Sequence, residues 1–163
     1  MASLAVQGLA FGLDKPVVPI VTLAAMAQAC RVATGALNVL VVLDARMGEV
    51  YWAQYRFDEE WIVVIEPTLS VPSAVMPVGE VSVCGNGLLA YPSEFSSDFS
   101  ASTLTKNTLY EVRPHAAQIA QLADWAFQNG QSLAAREAQP LYLRNKIALT
   151  TSERLAKANS LSA

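Results

Sequence analysis

The sequence NVLVVLDARMGEVYWAQYRF, from Asn38 to Phe57, contains two strand-forming runs around one short turn. Its first part, Asn38 to Leu43, is an almost unbroken β-branched and aliphatic run, which is typical of a strand covered on both faces. Its last part, Val50 to Phe57, is aromatic-rich and also of strand length. A short connection that contains Gly48 joins the two runs, so the pattern predicts a β-hairpin.

Asp44 stands at the carboxyl end of the first predicted strand, directly before the turn. A carboxylate or backbone N–H groups at such a place can face a metal ion or a phosphate. Asp and Gly also fill ordinary surface turns, in which Asp44 would accept hydrogen bonds from its own backbone. The turn alone leaves both interpretations open.

Composition narrows the class of protein. The chain has 163 residues, a net charge of -3, 53% apolar residues and only 15% charged residues. We expect no direct, tight binding to nucleic acid, because no basic surface is available to neutralise phosphates. No apolar run is long enough to span a bilayer and no secretory signal is evident, so we expect a cytoplasmic protein. The high apolar fraction indicates that some surface meets another protein.

Few residues could carry catalysis. His115 is the only histidine, which excludes a two-histidine zinc protease site, and no GxSxG motif supports a serine triad. Cys30 and Cys84 are far apart in the sequence and are expected to be buried thiols in a reducing compartment. We therefore predict no catalytic residue, no metal site and no cofactor.

The residues before the hairpin predict a helix end, a short extended run and a second helix. The helix end is Val6 to Leu13, the extended run is Val17 to Val21, and Thr22 is expected to cap the second helix, Leu23 to Ala33, which Gly35 ends. Helical spacing puts four apolar side chains of the second helix on one face: Leu23, Met26, Ala27 and Cys30.

After the hairpin, the sequence predicts a third strand from Trp61 that weakens at Pro67, and a fourth strand from Glu80 to Cys84. The polar stretch from Tyr91 to Thr108 predicts a mobile surface excursion. A helix from Arg113 to Gln128 is expected to pack on the sheet. This order predicts an α/β (α+β) fold, a ribonuclease-H-like lobe with a mixed sheet and packed helices.

Four motifs resemble the bacterial TsaB family, also called YeaZ, of the actin and heat-shock-70 superfamily. They occur in the order and at spacings like those of the family: Gln7 to Gly12 (QGLAFG), Val21 to Gln28 (VTLAAMAQ), Leu43 to Ala53 (LDARMGEVYWA) and Pro140 to Asn145 (PLYLRN). The family opens with a further lobe, most of which this sequence lacks. The resemblance thus implies a shortened chain: residues 1–36 as a remnant of the first lobe with a replacement start, residues 37–149 as the second lobe, and residues 150–163 as a flexible tail.

The resemblance implies a protein without chemistry of its own that supports threonylcarbamoyladenosine formation on transfer RNA. Its implied partners are a TsaD-type catalytic subunit and a TsaE-type ATPase. A decoy that has lost the family role is one alternative. The other alternative is a nucleotide- or small-ligand-binding module.

The nucleotide alternative would use two turns. The first contains Asp44, Arg46 and Gly48, although the side chains of Arg46 and Met47 would crowd a phosphate there. The second is Gly85-Asn86-Gly87, where glycines could let the backbone approach a ligand or could simply form a turn.

Apolar residues of the first-lobe remnant must be covered. One expectation is a homodimer that buries them between two copies; the other is that the remnant folds back on its own lobe. The residues assigned to this interface are Val17, Val18, Leu23, Met26, Ala27 and Cys30.

Overall fold

The computed structural model describes residues 2–95 and 105–144. The helices are α1 (Ala2–Gly12), α2 (Thr22–Thr34), α3 (Gly87–Ala90) and α4 (Ala116–Gln128), and the strands are β1 (Asn38–Arg46), β2 (Glu49–Asp58), β3 (Glu60–Ser70), β4 (Val81–Cys84) and β5 (Thr105–Leu109). No helix of this described part is long and apolar enough to cross a membrane. The predicted tail, residues 150–163, lies outside the described residues.

The strands form one mixed sheet in the order β3-β2-β1-β4-β5. β1, β2 and β3 form the predicted antiparallel meander, whereas β4 is parallel to β1 and β5 is parallel to β4. The central strand β1 is covered on both faces, as predicted, because Val39 to Val42 have no exposed surface. β3 continues past Pro67, which this strand tolerates because it lies at the edge of the sheet and its register shifts nearby.

Two apolar clusters lie on opposite faces of the sheet. On one face α2 packs against β1, β2 and β4; on the other, Trp52 and Val75 pack with β1 side chains and with Leu88 of α3. The four apolar residues of α2, Leu23, Met26, Ala27 and Cys30, belong to the first cluster and are 0–3% exposed. The sheet of the same chain thus covers these four side chains, and a homodimer interface would have to use others.

The ends of α2 differ in how well the sequence predicts them. Gly35 ends the helix as predicted, with a φ of 73° and an N–H that donates to the carbonyl of Arg31 at 2.7 Å. The predicted cap at Thr22 is wrong: Val21 is the extended residue before the helix, Thr22 is the first helical residue, and no side chain caps this end. The extended Val21 backbone already orients its carbonyl to accept from Ala25 at 3.2 Å.

The predicted extended run at Val17 to Val21 does not join the sheet. Val17 forms an isolated antiparallel bridge with Leu133, and the two residues exchange backbone hydrogen bonds of 2.9 and 2.8 Å. Val17 and Val18 are half-buried. A segment near the end of the described chain therefore pairs with Val17, the first residue of the predicted extended run.

The polar stretch from Tyr91 to Thr108 is partly a strand, which corrects the prediction of a surface excursion. Residues 105–109 form β5, held by pairing with β4, and the N–H of Gly85 donates to the carbonyl of Leu109 at 3.0 Å. Residues 96–104 of the stretch lie outside the described residues. Pairing with β4 thus makes a strand of a segment whose polar composition predicted a loop.

Helix α4 begins later than predicted and packs elsewhere. His115 is extended, with φ and ψ of -131° and 140°, so Pro114 precedes the helix instead of lying in its first turn. The helix contacts α2, and the amide of Gln28 donates to that of Gln121 at 3.2 Å. Packing on α2, not on the sheet as expected, leaves most of α4 exposed, with Ala126 its buried residue.

The buried Gln54 of β2 links the sheet to the segment before β4. Its side chain has no exposed surface, and its Nε2 donates to Asn38 Oδ1 at 2.9 Å and to the carbonyl of Val78 at 2.8 Å. The N–H of Val78 returns a hydrogen bond of 2.8 Å to Gln54 Oε1. Each polar atom of the buried Gln54 amide thus has a hydrogen-bond partner, and these bonds position the Val78 backbone just before β4.

Candidate functional site

The two turns singled out in the sequence lie side by side. β1 and β4 are parallel, so the turn after Asp44 and the Gly85-Asn86-Gly87 turn emerge at the same edge of the sheet. The N–H of Asp44 donates to Asn86 Oδ1 at 3.1 Å and joins them directly. In open α/β sheets, ligands often bind at the carboxyl ends of parallel strands, which makes this edge the candidate site.

The connection between β1 and β2 has an unusual backbone. Arg46 pairs with Glu49, and the two residues between them, Met47 and Gly48, have φ values of 59° and 78°. Positive φ at both central positions is typical of a type I′ hairpin turn, in which Asn-Gly is preferred. Arg46 also has a positive φ, 64°, and the register shifts between Asp44 and Arg46. Two long side chains are thus held in the left-handed region.

The carboxylate of Asp44 is occupied by groups of the same chain. Its Oδ1 accepts hydrogen bonds from the N–H of Arg46 at 2.8 Å and from the hydroxyl of Tyr91 at 3.1 Å. Its Oδ2 lies 3.2 Å from Nη1 of Arg46, and the Asp44 side chain is only 8% exposed. The interpretation in which Asp44 bonds its own backbone thus describes the observed turn.

Gly85 and Gly87 pack against β1. A Cβ on Gly85 would lie 2.2 Å from the carbonyl oxygen of Val42, and Gly85 has a φ of 110° that favours glycine. A Cβ on Gly87 would lie 2.7 Å from Cγ1 of Val42. Both glycines are buried. The close approach that they permit is therefore to the chain's own central strand.

Arg144, in the Pro140 to Asn145 motif, contacts the hairpin turn at three residues. Its Nη1 lies 2.8 Å from Glu49 Oε2 and 3.3 Å from Met47 Sδ, and its Nη2 donates to the carbonyl of Ala45 at 3.0 Å. An arginine is charged at neutral pH in any environment, and a hydrogen bond with Tyr51 first, and then Glu49, raise the pKa of Arg144 further. The side chains of Arg144 and Glu49 are 15% and 32% exposed, so the pair is partly shielded from water.

Sequence reasoning missed the roles of Tyr91 and Arg144. Arg144 lies in the Pro140 to Asn145 motif, which the sequence connects only with the family resemblance, and Tyr91 is the first residue of the stretch predicted as a surface excursion. Burial first, and then the Asp44 carboxylate, raise the pKa of the Tyr91 hydroxyl, which therefore remains a donor to Asp44. Both residues act over long sequence distances that no local pattern reveals.

Within residues 2–95 and 105–144, no group of three or more His, Cys, Asp or Glu side chains could hold a metal ion. The two buried thiols, Cys30 and Cys84, lie in one apolar cluster. A hydrogen bond with Cys30, together with burial, raises the pKa of the Cys84 thiol well above its ordinary value. Because Cys84 also has no exposed surface, it is a structural thiol.

The sheet has the strand order β3-β2-β1-β4-β5. β2 is antiparallel to β1 and β3, β4 is parallel to β1, and the two turns lie at the carboxyl ends of β1 and β4. This arrangement defines a class of protein. The chain has the ribonuclease-H-like lobe of the actin-like ATPase superfamily, as predicted. A family model described as TsaD, tRNA N6-adenosine threonylcarbamoyltransferase, matches residues 2–160. Within this group the chain belongs to the TsaB (YeaZ) family.

Two curated relatives support this assignment. The chain is 35% identical over 149 residues to the tRNA threonylcarbamoyladenosine biosynthesis protein TsaB of Escherichia coli K12, covering 87% of this chain and 63% of that protein. It is also 35% identical over 153 residues to the protein of the same name from Haemophilus influenzae Rd, covering 86% and 62%. The chain thus spans less than two thirds of the length of these relatives.

Solved structures agree with the sequence comparison. A Pseudomonas aeruginosa protein described as similar to peptidase YEAZ superposes with a TM-score of 0.76 at 30% identity, covering 88% of this chain and 66% of that one. YeaZ from the same species gives a TM-score of 0.75 at 30% identity, covering 86% and 66%.

Proposed function

We propose that this chain is a TsaB-like partner protein in the biosynthesis of threonylcarbamoyladenosine on transfer RNA. In this role it binds a TsaD-type subunit and performs no chemistry itself. The observation that carries the proposal is the 35% identity over 149 residues to Escherichia coli TsaB, whose name states that pathway. The proposed role lies in the cytoplasm, and the family resemblance extends the complex to a TsaE-type ATPase.

The candidate site supports a scaffold role. Asp44 accepts hydrogen bonds from Arg46 and Tyr91, and Arg144 is engaged with Glu49 and the turn. A catalytic carboxylate needs an acceptor position open to substrate, whereas this one is 8% exposed and surrounded by internal donors. The same contacts make the turn rigid, which suits a surface that a partner recognises.

Binding to a TsaD-type subunit tests the proposal directly. The full chain is titrated into the TsaD-type subunit of the same organism, and binding is followed by calorimetry and by sedimentation velocity. We expect a complex of defined stoichiometry with a Kd in the micromolar range or tighter. Two separate, non-interacting species at tens of micromolar of each protein would contradict the proposal.

A thermal-shift titration tests the nucleotide-binding alternative. A ligand that binds only the native state raises stability by RT ln(1 + [L]/Kd), so a nucleotide present at about 100 times its Kd adds about 2.7 kcal/mol. Because Gly85 and Gly87 face Val42, we expect ATP or ADP with magnesium at millimolar concentration to leave the melting temperature unchanged. A dose-dependent rise would favour the ligand-binding module instead.

We also propose a homodimer, with α1 as its interface. This helix has no charged residue, and its large apolar side chains are 50–76% exposed, including Leu4, Leu9 and Phe11. Contact with the rest of the chain is limited: Ala10 is buried, and the amide of Gln7 donates to the carbonyl of Ala135 at 2.9 Å. Exposed apolar surface of this kind is typical of a protein interface.

A charge placed on α1 tests the homodimer. Phe11 is 76% exposed, so Phe11→Glu should leave the fold intact and convert the dimer to monomer in sedimentation velocity. Val32→Glu on α2, at a site that is 62% exposed, is the matched control and should leave the dimer unchanged. A monomeric wild-type chain at tens of micromolar would contradict the proposal.

A further inference from the structure

The β1–β2 turn holds two long side chains in an unfavourable backbone conformation. Arg46 and Met47 have φ values of 64° and 59°, in the left-handed region that Gly, Asn and Asp tolerate best. The Arg46 side chain is 86% exposed and Met47 is 69% exposed, so neither contributes to a core. Strain of this kind persists where the surrounding structure imposes it, and it concentrates at functional sites.

The surroundings of the turn hold this conformation in place. Arg144 donates to the carbonyl of Ala45 and to Sδ of Met47, and it pairs with Glu49 on the opposite strand. Asp44 accepts from the N–H of Arg46. The tip is thus fixed from both sides while its two largest side chains point outward.

The charges around the tip are unevenly exposed. The side chain of Asp44 is 8% exposed, and that of Glu49 is 32% exposed and pairs with Arg144. Nη1 of Arg46 lies 3.2 Å from the Asp44 carboxylate, but the Arg46 side chain is 86% exposed. Although the net charge of the chain is -3, the tip presents the guanidinium of Arg46 beside the thioether of Met47. A carboxylate next to an apolar surface is the complementary arrangement.

We propose that Arg46 and Met47 form a recognition tip for the TsaD-type partner, which offers a carboxylate to Arg46 and an apolar surface to Met47. This inference rests on the proposed function. In this proposal the turn remains strained because Arg46 and Met47 bind the partner. A substitution that relieves the strain should therefore also weaken binding.

Two substitutions test whether relief of the strain and loss of binding occur together. Met47→Asn creates Asn-Gly, the preferred pair for this turn, and Arg46→Asn places a tolerant residue at the preceding position. Each should raise the melting temperature by about 2–4 °C and weaken partner binding about tenfold or more. Met76→Asn is the matched control: Met76 is 75% exposed, its φ is not positive, and neither quantity should change.

The measurements are thermal unfolding and calorimetric titration of the TsaD-type subunit with the full chain. More stable Met47→Asn and Arg46→Asn variants that bind as tightly as wild type would overturn the recognition tip while leaving the proposed function intact. A wild-type chain that does not bind would instead refute the proposed function. Because both variants are expected to gain stability, misfolding cannot account for lost binding.

Salt dependence tests the chemistry assigned to the partner. Wild-type binding should weaken as salt rises, and Arg46→Asn should reduce that dependence, because it removes an exposed charge from the contact. A filter-binding assay with transfer RNA tests the alternative that the tip contacts nucleic acid. If Arg46→Asn lowers affinity for RNA and not for the protein subunit, the tip contacts nucleic acid and the proposal fails.

Discussion

Replacement of Gly85 by alanine should be among the most damaging single changes in this chain. An alanine Cβ would lie 2.2 Å from the carbonyl oxygen of Val42, about 1 Å inside the closest normal contact. The obstacle is backbone of the central strand, which cannot rotate away as a side chain can. β1 and β4 would have to separate where Val41 pairs with Cys84.

The expected loss has two parts. A φ of 110° costs a non-glycine residue about 1 kcal/mol. Forcing the strands apart costs about 1–3 kcal/mol in disturbed packing, and each weakened backbone hydrogen bond adds about 1 kcal/mol. Gly85→Ala should therefore lower the free energy of unfolding by about 3–5 kcal/mol, a large share of the usual 5–15 kcal/mol.

Other variants isolate the steric part. Gly130 also has a positive φ, 74°, but nothing lies within 4 Å of its Cβ position, so Gly130→Ala should cost only about 1 kcal/mol. Gly87→Ala meets a side chain, Cγ1 of Val42, at 2.7 Å. Val42→Ala should consequently offset part of the cost of Gly87→Ala, by about 1 kcal/mol, but little of the cost of Gly85→Ala.

Urea unfolding followed by tryptophan fluorescence measures these differences, since the buried Trp52 reports on the sheet. If Gly85→Ala does not fold, the Gly87 and Val42 variants still test the packing. A Gly85→Ala variant within about 0.5 kcal/mol of Gly130→Ala would contradict a steric conflict between residue 85 and the carbonyl of Val42. It would mean that the turn has room for a side chain, and thus for a ligand.

Three further predictions use the same unfolding assay. Arg144→Ala should cost about 1–2 kcal/mol and speed amide exchange in the hairpin turn, whereas Arg136→Ala, which removes an exposed pair 3.8 Å long, should change stability by less than about 0.5 kcal/mol. Gln54→Leu should cost about 1–3 kcal/mol because the three hydrogen bonds of the buried Gln54 amide are lost, and the exposed Gln121→Leu is its control; equal effects of the two would contradict the buried role. Gly8→Ala should stabilise by up to about 1 kcal/mol, because Gly8 lies in α1 with nothing within 4 Å, and a loss would indicate an unseen contact.

Local patterns predicted the centre of the fold well. The hairpin around Asp44, the meander with β3, the short β4 and the helix that ends at Gly35 all follow from apolar runs of strand length, from helical spacing and from turn residues. The apolar face of α2 was also correct, but its partner was not evident, since an apolar stripe does not specify whether the same chain or a second copy covers it.

The candidate site was predicted in part. Asp44, Gly48 and Gly85 were identified as turn residues, and the parallel pairing of β1 with β4 places their turns together. What the glycines face could not be read from the sequence, because Gly-Asn-Gly is compatible with both a ligand and a neighbouring strand. Only the position of Val42 decides between them.

Local sequence patterns were sufficient to predict β1 to β4, the hairpin and the family motifs, because each of these features depends on residues close together along the chain. The folded structure was needed to show that β5 forms, that α4 packs on α2, and that Arg144 binds the carbonyl of Ala45, which lies 99 residues earlier in the chain. The physical reason is that a strand without its own pattern, or a clamp between distant residues, gains its free energy only from contacts that exist after the chain has folded.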